Sequence, residues 1–130
     1  MFFEFADAEV AQVTWEAGVL SLRFSAAAVM LKPDAELQWS PLLVLAVPRQ
    51  QGLPAVQAFL EDGIWAGRLK EGAWRPEVRS RQRLLPLPWT NSEPGVLELE
   101  WAQGQRLELP LQSLTLQLPD GAQSVQAWQC

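Results

Sequence analysis

The chain has 130 residues, with seven tryptophans, one cysteine, no tyrosine and no histidine. Without histidine, the Ser-His-Asp and Cys-His catalytic arrangements and histidine-ligated zinc or iron sites are excluded, and one cysteine cannot build a thiolate metal site. The formal net charge of −5 argues against a nucleic-acid partner, because nucleic-acid-binding proteins usually present a dominant basic field. We therefore expect no catalytic residue, no metal and no cofactor.

Length and composition are those of one compact domain, which we expect to span residues 1–130. The longest apolar run, Leu42 to Val47, is far shorter than the roughly 20 residues that a membrane-spanning helix needs. Acidic residues near the N-terminus stand where a secretory signal would carry Lys or Arg, and the single Cys130 fits a reducing compartment as a frayed, incidental thiol. These features predict a cytoplasmic protein without a membrane partner.

The first predicted element is a hairpin of strands over Glu9 to Trp15 and Val19 to Phe24, where apolar residues recur at every second position. Its connection, Glu16-Ala17-Gly18, is predicted to be a three-residue loop that ends with glycine in the left-handed region. The alanine-rich segment from Ser25 to Met30 fits either a strand or a short helix, and its pattern leaves both open.

The opening residues Phe5 to Val10, followed by the strand Leu20 to Phe24, resemble the start of several small uncharacterised bacterial β-sheet proteins. Some of these occur among toxin-immunity-like genes. In them the residue before the aspartate is often histidine, whereas this chain has Ala6. The resemblance covers about twenty residues and implies a small bacterial protein with a non-catalytic role, but it supplies no site residue.

The middle of the chain contains a continuous apolar run from Leu42 to Val47 between two prolines, which predicts a strand buried on both faces. The segment Ala55 to Leu60 fits a short helix or another strand. Glu61-Asp62-Gly63 has the composition of a tight turn. A third hairpin is predicted from strands at Ile64 to Leu69 and Trp74 to Arg79.

The segment Leu84 to Trp89 carries two prolines and is predicted to be an edge strand or a loop, and Thr90 to Gly95 a loop. Val96 to Trp101 and Gln105 to Leu109 form a last hairpin, again with glycine closing its three-residue connection. The leucines of this region stand at odd-numbered positions up to Leu111 and at even-numbered positions from Leu114. The apolar side of the strand therefore changes between Gln112 and Ser113, which predicts a β-bulge or strand corner.

Together these elements predict an all-β, single-domain antiparallel sandwich or small barrel of about seven to nine short strands with hairpin (meander) connections. The most distinctive local feature is a cluster of basic and aromatic residues in an otherwise acidic chain. Such a composition is used to bind single-stranded nucleic acid by stacking and phosphate contact, and since the net charge of −5 argues against nucleic acid, the functional interpretation is an anionic-ligand site. The alternative is a solvated hairpin face whose arginines pair with acids elsewhere. The candidate binding residues are Trp65, Arg68, Trp74, Arg75, Arg79, Arg81, Arg83 and Trp89.

The seven tryptophans suggest a second class of site, because exposed indoles on a sheet can bind carbohydrate or a protein partner. Trp15 and Trp101 fall on the same side of their predicted strands as the core leucines, so both are predicted to be buried. The remaining five are left open between core and surface: Trp39, Trp65, Trp74, Trp89 and Trp128.

Carboxylate chemistry needs two acids that converge in a cleft. The candidate pairs are Glu98 with Glu100, Glu61 with Asp62, and Asp7 with Glu9, and the alternation around Glu98 favours a solvated strand face over an active site. We therefore expect a non-catalytic binding or protein-interaction module whose partner is a protein or an anionic small ligand, with an edge strand that would allow a homodimer. The alternative is a small-molecule or carbohydrate-binding barrel lined by tryptophans, and a carboxylate-dependent hydrolase ranks third.

Overall fold

A computed structural model describes residues 1–63 and 65–119, so the sequence predictions for Ile64, Trp128 and Cys130 lie outside the described residues. The described part consists of eight strands, one helix and a short 3₁₀ turn at Gln50–Gly52. The strands and the helix are β1 (Phe2–Glu16), β2 (Val19–Met30), β3 (Gln38–Pro48), α1 (Leu53–Asp62), β4 (Gly67–Pro76), β5 (Leu84–Pro86), β6 (Trp89–Asn91), β7 (Gly95–Trp101) and β8 (Arg106–Gln117).

Six antiparallel strands close into a barrel in the order β2-β3-β8-β7-β4-β1, and the pairing of β1 with β2 completes the ring. The two short strands extend the wall, since β5 pairs with the start of β1 and β6 with the end of β8. The prediction of an all-β fold with hairpin connections is confirmed, and the architecture is a barrel. No helix in the described residues is long and apolar enough to span a membrane.

The inside of the barrel is filled by side chains that alternate with outward-facing ones, as β7 and β8 show. The largest of these, including Trp74 and Phe3, are fully buried, and Trp101, predicted to be buried, is 1% exposed. Trp15 was also predicted to be buried, and that prediction is wrong because its side chain is 38% exposed. Trp15 lies one residue before the end of β1, where the hairpin reaches the end of the barrel.

The strands of the first hairpin are longer than predicted, and the loop between them is shorter. The strands are joined by two residues, Ala17 and Gly18, both at positive φ, instead of a three-residue loop. A two-residue loop with two positive φ angles matches the right-handed twist of the flanking strands. The segment Ser25 to Met30, left open from the sequence, continues β2 as a strand.

The segment left open at Ala55 to Leu60 belongs to the helix α1, which carries Pro54 in its first turn and Gly63 as a left-handed C-cap. The predicted turn at Glu61-Asp62-Gly63 is therefore wrong: its two acids form the last helical residues. The helix packs on the barrel through Val56 and Phe59, whose ring lies 5.5 Å from that of Trp101.

The predicted third hairpin is also wrong, because β4 runs without a turn through Lys70-Glu71-Gly72-Ala73. Gly72 is buried, and a Cβ atom there would lie 2.8 Å from both Phe5 Cβ and Leu99 Cδ2. This glycine therefore serves a close packing contact inside a strand, and no turn is made.

Two predictions are confirmed in this part of the chain, one for the loop of the last hairpin and one for the bulge in β8. The Ala102–Gly104 loop has Gly104 at φ 104° and is closed by hydrogen bonds that join Trp101 to Gly104 and Gln105, as in a type I turn with a bulge. In β8, Val47 pairs with Ser113 and Pro48 with Leu111, so Gln112 is the extra residue of the predicted bulge.

Candidate functional site

The predicted basic cluster forms ion pairs with acids that come from other parts of the chain. The Arg75 Nε and Arg81 Nε atoms lie 3.4 and 2.7 Å from the two carboxylate oxygens of Glu98, and Arg79 pairs with Glu93. Glu98 lies on β7, next to β4 in the sheet. Three of the predicted ligand-binding arginines are thus already paired with a carboxylate.

The other two predicted arginines lie apart from Glu98. Arg68 is exposed at the start of β4, opposite Glu9 of β1. Arg83 lines a separate surface groove of about 330 Å³, together with Glu4 and Asp34. Within residues 1–63 and 65–119, neither arginine forms an ion pair. The structure therefore divides the five predicted arginines among four places: beside Glu98, beside Glu93, at the start of β4 and in the groove that Arg83 lines.

The three predicted tryptophans do not form a shared stacking surface. Trp74 is fully buried in the core, so no ligand can stack on it unless the barrel opens. Trp65 is half-buried, and its backbone oxygen accepts a 2.8 Å hydrogen bond from Trp101 Nε1. Trp89 is half-buried on β6, opposite Leu116 of β8.

Glu98 belongs to a larger charged surface on β4, β7, β8 and the segment between β4 and β5, which we call the ion-pair face. Next to it, the Glu100 carboxylate lies 3.5 Å from Lys70 Nζ and 3.0 Å from Arg106 Nη2. A groove of about 410 Å³ follows this face. The charged residues of the ion-pair face are Lys70, Glu71, Arg75, Arg81, Glu98, Glu100, Arg106 and Glu108.

The ion-pair face holds as many carboxylates as cations, which makes it close to neutral as a whole. An anionic ligand would approach guanidinium groups that Glu98 and Glu100 already engage, and the negative charge of these carboxylates would oppose its binding. Four glutamates do converge here, as a carboxylate enzyme would require. Glu98 and Glu100, however, each form ion pairs with two cations. This arrangement favours the solvated, internally paired alternative over an anion site.

The other acid pairs are dispersed. Glu61 accepts a hydrogen bond from Gln57 on the exposed side of α1. Asp7 has a positive φ of 64° within a stretch of irregular β1–β2 register, and Asp7 and Glu9 are both exposed on β1. Among the residues that the structure describes, no three acidic or cysteine side chains could together hold a metal ion.

Replacing Glu98 with glutamine is expected to lower the free energy of unfolding by about 0.5–1 kcal/mol, because its partly exposed ion pairs with two arginines are screened by water. The loss should shrink as salt increases. Urea unfolding at low and high salt measures it. Glu71→Gln is the matched control, since Glu71 lines the same groove without an ion pair among the described residues. Equal losses in the two variants would contradict the assigned pairing.

A second surface, along β3, is apolar where the ion-pair face is charged. Along β3 and the residue before it, every second side chain points outward and is apolar, from Leu37 to Val47. The intervening side chains, such as Leu42 and Val44, are fully buried inside the barrel. We call the outward row the β3 stripe: Leu37, Trp39, Pro41, Leu43, Leu45 and Val47.

The sequence predicted burial on both faces for Leu42 to Val47, and the structure confirms burial on one face only. Leu43, Leu45 and Val47 remain half-buried, while Trp39 is 45% exposed and Leu37 is 46% exposed. The predicted binding residues did not include this row. The sequence already indicated this row, because the odd-numbered and the even-numbered residues of the run from Leu42 to Val47 are all apolar.

The strands around the β3 stripe carry almost no charge. Beside Leu45 lie Ser21 of β2 and Thr115 of β8. The segments β2, β3 and 111–117 contain no Asp or Glu, and Arg23 is their one charged residue, although 19% of the chain is charged. We call the outward surface of these three segments the carboxylate-free face.

Comparison of the chain with protein families, with curated proteins and with solved structures gives no match. The resemblance of the N-terminal hairpin to small bacterial β-sheet proteins therefore stays a prediction. The two surfaces have to be interpreted from their own chemistry.

Proposed function

We propose that this chain is a non-catalytic protein-interaction module that binds its partner through the β3 stripe. The observation that carries the proposal is the unbroken row of outward apolar side chains from Leu37 to Val47. Apolar patches of this extent on a soluble surface mark interaction sites, because leaving them in water costs free energy in proportion to their area.

The chemistry of the stripe indicates the kind of partner. Trp39 offers a large aromatic surface near one end, and Leu43 and Leu45 offer aliphatic side chains at the centre. Interface cores are depleted in charge and enriched in such residues, with a polar rim around them. Ser21 and Thr115 supply that rim here. The partner is a protein with an uncharged aliphatic or aromatic surface.

The two other expectations for binding receive less support. An anionic ligand would compete with carboxylates that already occupy Arg75 and Arg81. A small molecule inside the barrel would have to share space with fully buried side chains such as Trp74, Phe5 and Phe24. In the described part of the chain, the interior is filled by side chains, which argues against the alternative of a carbohydrate-binding barrel lined by tryptophans.

Photo-crosslinking tests this proposal. A benzophenone amino acid replaces Leu45 in one variant and Val96 in a control, since Val96 is likewise apolar, outward-facing and half-buried, but lies on β7. In the cells that naturally make the chain, we expect protein adducts from position 45 to exceed those from position 96 several-fold. Adding Leu43→Glu to the same chain should abolish them, because it places a charge in the middle of the apolar row.

Equal adduct yields from positions 45 and 96, or adducts that survive Leu43→Glu, would overturn the proposed docking surface. The mass of each adduct reports whether the captured protein is a second copy of the chain or a different protein. A thermal unfolding profile of each variant shows that the barrel is still folded.

A further inference from the structure

We propose that the protein bound at the β3 stripe is a second copy of this chain, so that two barrels associate through their carboxylate-free faces. The inference rests on the proposed function of the stripe and names its partner. It differs from pairing through a strand edge, because both edges of β3 between Leu43 and Ala46 are already occupied by β2 and β8.

Charge is the first argument for a second copy. Each chain carries a formal net charge of −5, so two copies repel each other wherever acidic surfaces would meet. The carboxylate-free face is the sector formed by β2, β3 and residues 111–117, in which no Asp or Glu occurs. Two identical copies can therefore approach through this face with carboxylates only at the Leu37 end of the stripe, where Glu4 and Asp34 line a neighbouring groove.

Self-complementarity is the second argument. In a two-fold dimer the same patch serves both subunits, so any charge at its centre would face its own copy. The β3 stripe has no charge along its whole length. Arg23, the one charged residue nearby, lies on β2 opposite Leu43, one strand away from the stripe. At that position its guanidinium stays in the hydrated rim.

The size of the surface is the third argument. At about 3.4 Å per residue, the row from Leu37 to Val47 is about 34 Å long. With the flanking strands and their side chains, the face is on the order of 20 Å wide, which gives roughly 650 Å² per copy. Stable interfaces bury about 600–1,000 Å² per partner. The area therefore suffices for a dimer near the small end of that range.

The test uses the purified full-length chain. Sedimentation velocity from about 1 to 200 µM, a range that brackets a micromolar Kd, is expected to show a shift from the 14.5 kDa chain to twice that mass. Leu45→Glu should weaken the dimer roughly tenfold or more, because each copy then buries an unpaired carboxylate. Val78→Glu makes the same charge change at a side chain that is 79% exposed outside the stripe, and should leave the dimer intact.

Raising the salt concentration to about 0.15 M should not weaken the dimer, since salt screens the repulsion between two acidic copies. A chain that stays at its single mass across the whole concentration range would overturn the homodimer. So would a dimer that Leu45→Glu and Val78→Glu affect equally. If the purified chain is monomeric while position 45 still crosslinks to a different protein in cells, the docking surface stands and only the second copy is rejected.

Discussion

Replacing Trp74 with alanine is expected to lower the free energy of unfolding by about 3–5 kcal/mol, the range for removing a large aromatic side chain from a packed core. Trp74 is fully buried, and its ring approaches Gly95 so closely that a Cβ atom there would lie 2.6 Å from it. Urea unfolding measures the loss. The sequence named this tryptophan as a candidate binding residue and left open whether it is buried. On a binding surface, its removal would affect a ligand and leave stability nearly unchanged.

Two companion variants sharpen this prediction. Trp74 Nε1 is buried without a hydrogen-bond partner among the described residues. Trp74→Phe should therefore cost clearly less than Trp74→Ala, since it removes no hydrogen bond and keeps most of the ring. Trp39→Ala, measured on dilute protein, should cost clearly less than Trp74→Ala, because Trp39 is 45% exposed and Trp74 is fully buried. A loss below about 1 kcal/mol for Trp74→Ala would contradict the core assignment.

Replacing Gly72 with alanine is expected to cost about 1–3 kcal/mol, the range for overpacking a well-filled core. The added Cβ atom would lie 2.8 Å from Phe5 Cβ and from Leu99 Cδ2, so one of these residues must move. If residues 70–73 formed the turn that the sequence predicted, no such contact would exist. Thermal or urea unfolding of the variant distinguishes the two possibilities.

Lys70→Ala is the control, because Lys70 lies on the same strand with a side chain that is 66% exposed, and it should change stability by about 0.5 kcal/mol or less. Shortening the contacting side chain by Leu99→Val should offset part of the cost of Gly72→Ala, which a double-mutant cycle detects as non-additivity. Strict additivity, or a Gly72→Ala variant as stable as the original chain, would contradict the packing described for β4.

Much of the fold follows from patterns that act over short distances. The apolar parity flip placed the bulge at Gln112, and Gly104 marked the left-handed position of the last loop. The prediction for Gly72 failed because a glycine needed for close packing and a glycine needed for a turn look the same in sequence. What decides between them is contact with Phe5 and Leu99, which are distant along the chain.

The candidate site was predictable only in part, for a related reason. The arginine-rich segment was visible, but its partners Glu98 and Glu93 become partners only through the pairing of β4 with β7 and the turn beyond it. The apolar run from Leu42 to Val47 indicated two-sided burial without saying what covers the second side. The barrel itself covers only the inward row, and the outward row is the surface on which the proposed docking site rests.

Covalent surface labelling by a photo-generated carbene tests most directly whether the chain works through the β3 stripe. Labelling in the cells that naturally make the chain is compared with labelling of the dilute purified protein. The account predicts that labelling of Trp39, Leu43 and Leu45 falls several-fold in cells while labelling of the ion-pair face does not change. Protection of Arg75 and Glu98 with no change along the stripe would contradict it.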